Sequence, residues 1–86
     1  MSDLDHIKIP DIKLGKYRHY KGNLYEVIDI ACHSETLDWY VVYKPLYEHE
    51  GKPDTWIRPY HMFFEVVTHN GKTMPRFMHE SEWDEA

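Results

Sequence analysis

The sequence predicts an all-β domain, a small SH3-like barrel of five to six antiparallel strands. Three observations carry this reading. Short runs rich in Val, Ile, Tyr and Trp recur with turns roughly every eight to twelve residues. No segment carries an amphipathic helical period of useful length. The chain has 86 residues, which suits one domain with a thin core. A barrel of this size removes exposed strand edges by closing on itself. An OB-fold is the nearest alternative, but it usually inserts a helix, and none is legible here.

The elements follow in order. Residues 1–13 read as a flexible N-terminal arm, broken by Pro10, with Ile7, Ile9 and Ile12 able to touch the body. The barrel domain spans 14–78. Lys16–Tyr20 is short and aromatic, and Lys21-Gly22-Asn23 is a turn, because Gly and Asn tolerate positive φ. Leu24–Cys32 is extended, favoured by Val27, Ile28 and Ile30. His33–Asp38 is polar and turn-like. Trp39–Leu46 is the most strand-like run, with apolar residues on both faces. Pro45 has no N–H, so the strand ends there or lies at an edge. Residues 48–54 form a loop, and Thr55–Pro59 is a short strand stopped by proline. Tyr60–Phe63 has room for a single 3₁₀ turn.

Asn70-Gly71 predicts a two-residue type I′ hairpin. That turn sets His69 opposite Lys72, Val67 opposite Met74, Val66 opposite Pro75, Glu65 opposite Arg76 and Phe64 opposite Phe77. The core face then collects Phe64, Val66, Thr68, Thr73, Pro75 and Phe77, with Glu65–Arg76 as a solvated ion pair. Residues 79–86 form an acidic tail.

Charge and composition narrow the function classes. The chain is 42% apolar and 29% charged, the mix of a folded protein. Ten Lys and Arg against fifteen Asp and Glu give −5. This is not the footprint of a strongly basic nucleic-acid binder. The charge is uneven: residues 8–21 hold five basic residues against Asp11 alone, a local +4. Residues 79–86 hold four acids and no Lys or Arg, a local −4. Cys32 is the single cysteine, so an internal disulfide and a four-Cys zinc site are excluded. The start has no secretory h-region, and no apolar run approaches the roughly 18 residues of a membrane helix. The expectation is a cytoplasmic protein with no membrane contact, no cofactor and no metal.

Several of these segments form a specific pattern. Gly15–Val27, His33–Thr36, Val41–Tyr43, Trp56, Arg58–Pro59, Met62–Phe63 and Gly71–Phe77 carry the elements G-K-Y-x-H-Y-K-G-x-x-Y-x-V, H-S-E-T, V-V-Y, W, R-P, M-F and G-x-x-x-P-R-F. Over residues 15–77 the chain closely resembles a family of short bacterial proteins, the domain of unknown function 1653. The resemblance implies a small, stand-alone β-barrel of bacterial origin. It implies no activity.

Seven Tyr, three Trp and three Phe are 15% of the chain, more than a small barrel can bury. Tyr and Trp offer a flat apolar face and a polar tip. The expected ligand-binding surface is Tyr17, Arg18, His19, Tyr20, His33, Glu35, Tyr43, Trp56 and Arg58. A peptide or protein partner is the leading expectation, with the chain a monomer or weak dimer. Single-stranded nucleic acid, stacked on aromatics beside Lys16, Arg18 and Lys21, is the second. Strand alternation splits those basic residues between two faces, which weakens it.

His33-Ser34-Glu35 lists a base, a hydroxyl and a carboxylate, so a small hydrolase or metal-dependent enzyme is the alternative. Adjacent turn residues seldom point at one another as a triad requires, and Ser34 and Thr36 suit turn-building instead. Cys32 reads as a small buried apolar residue. The seven histidines show no convincing zinc spacing. Trp56 and Arg58 share a strand face, so Arg58 can stack on Trp56 or pair with Glu26 or Glu35. A third reading is an accessory subunit whose apolar patch is a dimer contact.

Overall fold

The structure is a computed structural model and describes residues 9–83. The strands are β1 (Gly15–His19), β2 (Leu24–Cys32), β3 (Trp39–Pro45), β4 (Trp56–Pro59), β5 (Val66–His69), β6 (Lys72–Pro75) and β7 (Phe77–His79). A single helical turn, α1 (Tyr60–Phe63), follows β4 directly. Glu80–Glu82 form a 3₁₀ turn.

All pairings are antiparallel. Five strands form one sheet in the order β4-β3-β2-β1-β7, and β5-β6 form a separate hairpin. The all-β, SH3-like class therefore holds, with seven strands where five or six were expected. The sheet is not closed: β4 and β7 are its two ends.

The turn chemistry produces this meander. His19 N donates to the Asn23 carbonyl at 2.8 Å, and Gly22 N donates to His19 O at 2.7 Å. Gly22 takes φ +110, which L-residues rarely adopt. Asn70 and Gly71 take φ 54 and 76, as a type I′ turn needs. The β5–β6 register is the one predicted, His69 with Lys72 and Val66 with Pro75. Beyond the ladder, Arg76 N donates to Glu65 O, and the two side chains pair at 2.9 Å.

The predicted core face of that hairpin is corrected. Val66 is 60% exposed, and Thr68 and Thr73 are exposed as well. The more covered residues are Val67, His69 and Met74. The hairpin stands apart as its own sheet, so its central pairs do not follow Phe64 and Phe77 inward.

The long strand β2 contains a bulge at Ile28, which the pairing with β3 skips. An extra residue inverts the alternation beyond it. Tyr25 and Val27 face inward before the bulge, and Ile30 faces inward after it, opposite the fully buried Val41. The bulge also adds curl, which brings the sheet's two ends toward each other.

The core is small: Tyr17, Val27, Val41, Tyr43, Phe63 and Phe77, with Ile12, Tyr25, Tyr60 and Phe64 packed against it. Pro59 starts α1, and that turn drives Phe63 into the inner face of the sheet. The Phe63 ring stacks on Phe77 at 4.0 Å and meets Tyr17 and Tyr43 edge-on, each at 5.4 Å. Burying a ring of this size stabilises by about 2–3 kcal/mol. Within the expected arm, Ile12 lies against the core, whereas Ile9 is 71% exposed. Ile7 and the last acidic residues, Asp84 and Glu85, lie outside the described residues.

Candidate functional site

Strand alternation puts five of the nine predicted site residues on the sheet's inner face: Tyr17 and His19 from β1, Tyr43 from β3, and Trp56 and Arg58 from β4. Trp56 is the cross-strand partner of Tyr43, and Arg58 that of Val41. What covers them differs. Tyr17 and Tyr43 are core residues. Trp56 is 40% exposed, and its Nε1 donates to Pro53 O at 3.1 Å.

Arg58 makes the geometry distinctive. It starts on β4, at one end of the sheet, yet its guanidinium carbon lies 5.8 Å from the Phe77 ring on β7, at the other. Its Nε donates to the Tyr43 hydroxyl at 3.4 Å, a long and weak bond. Among the described residues its guanidinium meets Tyr43 and Phe77 rather than Trp56, Glu26 or Glu35, so neither expected arrangement is found. The curled sheet thus leaves a mouth between its unpaired ends, spanned by Arg58 over Phe77.

His19 lies at this mouth. Its ring is 4.9 Å from Phe77, 4.5 Å from Tyr20 and 6.4 Å from Tyr25. Nδ1 accepts a bond from Lys21 N at 3.1 Å, so in the neutral ring Nε2 carries the proton. Burial holds the imidazole below its usual 6.5, and the positive charges of Arg76, Arg58 and Lys21 add to the effect. Tyr20 packs on His69 at 5.2 Å, and its N–H donates to Arg76 O.

Two residues of the mouth were not among the predicted set. Tyr25 meets Tyr43, Tyr47 and Phe77 edge-on, each at 5.5 Å, and its hydroxyl bonds to that of Tyr47. Burial pushes its phenol well above 10.0. Its place opposite Tyr17 in the β1–β2 pairing was the available signal. Arg76 was assigned only to an ion pair with Glu65. It makes that pair through Nη2, but its Nε is buried without a partner.

The other predicted residues lie apart. Arg18 is on the outer face, its guanidinium 4.3 Å over the Trp83 ring, whose Nε1 donates to Met78 O. His33 and Glu35 sit in the exposed β2–β3 turn. His33 Nδ1 accepts from Glu35 N at 3.1 Å and Thr36 N at 3.2 Å. Neither bond involves the Ser34 hydroxyl or the Glu35 carboxylate. His33 therefore builds the turn, with Thr36 Oγ1 accepting from Asp38 N. Cys32 is half-buried, with its thiol 3.9 Å from His33 O. Among the described residues no group of three or more His, Cys, Asp or Glu could hold a metal ion, and no helix is long and apolar enough to cross a membrane.

A cleft of about 580 Å³ lies on the opposite flank of Phe77, between residues 11–13, Tyr60, Phe64, Pro75, residues 77–79 and Glu82. Its hydroxyls and its imidazole are already engaged. Tyr17 OH donates to Lys13 O at 2.7 Å, Tyr60 OH donates to Asp11 O at 2.8 Å, and His79 Nε2 bonds to Leu14 O.

The model of a family described as a protein of unknown function, DUF1653, matches residues 15–79. The chain belongs to the DUF1653 family. It is similar to the crystal structure of a DUF1653 protein from Bordetella bronchiseptica, with 36% identity and a TM-score of 0.73, covering 80% of this chain and 87% of the other. No curated protein matches the chain. The DUF1653 match takes in β1 through β7, and so every residue of the mouth.

Proposed function

We propose that the domain is a non-enzymatic binding module that takes a peptide or protein partner at the mouth between β4 and β7. The observation that carries this is the contact of Arg58 across the mouth with Tyr43 and Phe77, beside the exposed Trp56. Trp, Tyr and Arg together are the composition of interaction hot spots. The cleft fits recognition less well, because its hydroxyls and imidazole are spent on local backbone. The His33 turn fits hydrolysis poorly, because its Nδ1 is committed to two amides. Nucleic acid is disfavoured by the −5 charge and by the stacking of Arg18 on Trp83.

The test is selection of a displayed random-peptide library on the full chain and on a Trp56→Ala/Arg58→Ala double variant. The expected result is a consensus enriched on the natural sequence and lost on the variant. No consensus, or equal enrichment on both, would sink the proposal. A single-stranded RNA titration completes it: saturable shifts at the mouth would move the reading to nucleic acid.

A further inference from the structure

We infer that the cleft beside Phe77 binds a small quaternary ammonium compound, a free solute with one positive charge and no N–H group. The site lies apart from the mouth and does not depend on what the mouth binds.

The cleft has the size and the walls for a small ligand. Its volume of about 580 Å³ falls within the roughly 300–1,000 Å³ of small-molecule sites, which are mostly apolar with a few polar groups. Tyr17 and Phe77 form a buried floor, and the half-buried Tyr60, Phe64 and Met78 rise around it. The ring planes differ by 51° between Tyr60 and Phe64, at 4.8 Å, and by 69° between Phe64 and Tyr17, at 6.2 Å. Rings at such angles suit a round group better than a flat one, which packs best between parallel walls. The face of an aromatic ring is electron-rich and attracts a cation.

The charges on the cleft select the same sign. Asp11, Glu82 and Lys13 line it, so −2 and +1 leave −1. Lys13 Nζ is held by Ser81 Oγ at 3.2 Å. Among the described residues neither carboxylate is in an ion pair. Glu82 lies near the floor: after burial, its charge is the next cause that raises the Tyr17 phenol. An anion is repelled by this set, a dication overshoots it, and a monocation balances it.

The hydrogen bonds narrow the cation further. The Tyr17 and Tyr60 hydroxyls donate to the Lys13 and Asp11 carbonyls. His79 is bound at both nitrogens, Nε2 with Leu14 O and Nδ1 with Ser81 N. A peptide main chain brings N–H and C=O groups that need partners once they leave water. A primary ammonium brings three N–H donors, and the carboxylates left for it belong to exposed residues at the rim. A quaternary ammonium has no N–H to satisfy and asks only for ring faces and a nearby negative charge. A metal ion asks for the opposite, and among the described residues no group of three or more His, Cys, Asp or Glu could hold one.

Binding is followed on the full chain by NMR, through the methyl signals of Met78 and Ile12, both on the cleft. Choline chloride is compared with sodium chloride at matched ionic strength, with dimethylbutanol, its uncharged carbon isostere, and with a short peptide carrying one trimethyllysine. Choline is expected to give a saturating shift and sodium none. The alcohol should bind about tenfold more weakly, the size of a cation–π contact. Tyr60→Leu should weaken choline about tenfold. Tyr60→Phe keeps the ring without the bond to Asp11 O and should stay within about threefold. Glu82→Gln, in the 3₁₀ turn, should weaken choline about threefold and leave the alcohol unchanged. No saturation with choline, or equal binding of the alcohol, would overturn the cation site. A folded Tyr60→Leu that binds choline as well as the natural chain would do the same, and so would an unweakened Glu82→Gln if Tyr60→Leu does not fold. Shifts centred on Trp56 instead of Met78 would overturn the cleft as the place. A peptide bound more tightly than choline would overturn the free solute.

Discussion

Phe77 divides two regions built from the same kinds of residue. On one flank Tyr17, Tyr60 and His79 surround a cleft, and each polar tip is tied to the backbone of residues 11–14. On the other, His19, Tyr25, Tyr43 and Arg58 surround a mouth, and among the described residues Arg58 has no carboxylate partner. The difference is not one of composition. Around the cleft the hydroxyls and the imidazole are tied to the N-terminal segment, whereas at the mouth the Arg58 guanidinium meets a neutral hydroxyl and an aromatic ring.

The contrast is broken most directly on the structural side. Phe63 is fully buried, stacked on Phe77 and flanked by Tyr17 and Tyr43. Phe63→Ala is expected to destabilise the domain by about 3–5 kcal/mol, measured by urea unfolding, and could leave it unfolded at room temperature. A loss below about 1 kcal/mol would mean that α1 does not close the core. Next is Trp56→Ala, which should cost a selected peptide about 2 kcal/mol of affinity by calorimetry. Its stability should fall by less than about 1 kcal/mol, because Trp56 is already 40% exposed. The reverse pattern would make Trp56 part of the core.

A smaller effect is expected from Tyr17→Phe, which removes the bond to Lys13 O and should cost about 1 kcal/mol. The same hydroxyl gives a pH dependence. Burial, with the Glu82 charge second, pushes the Tyr17 phenol up from 10.0 to about 12. The folded chain holds this proton where the unfolded chain releases it. The contribution to stability is therefore whole below pH 10 and is lost between pH 10 and about 12. Unfolding curves of the natural chain and Tyr17→Phe should converge across that window. Parallel curves would show that the phenol is not sequestered.

The smallest effect lies away from both regions. The Tyr47 carbonyl, and then the Asp54 carboxylate at 2.7 Å, hold the half-buried His49 above its usual 6.5. Asp54→Asn should lower the His49 titration midpoint seen by NMR and leave the unfolding curve unchanged. A shift of that curve would give this loop a structural role it is not expected to have.

Much of the fold was legible because local chemistry decides it. Asn70-Gly71 set the β5–β6 register, Pro45 and Pro59 ended their strands, and the β-branched and aromatic runs marked β2 and β3. The hairpin's core face was misread because which face is covered depends on what lies across from it. Periodicity alone says nothing of that. The bulge at Ile28 was equally silent, since an extra residue inserted among Val27, Ile28 and Ile30 does not interrupt the apolar run.

The site divides in the same way. His19, Tyr43 and Arg58 come together around Phe77, but nothing along β4 announces that Arg58 crosses to it. Arg76 escaped notice because its pair with Glu65 accounted for its charge while leaving Nε without a partner. His33 kept company with Ser34 and Glu35 in sequence, yet its ring turns to the backbone.

The most direct test of the central claim is the affinity of folded Arg58→Gln for a peptide selected on the natural chain. If the mouth is a recognition surface, the variant melts within a few degrees of the natural protein and binds about tenfold more weakly or worse. Unchanged binding by a folded variant would contradict the account.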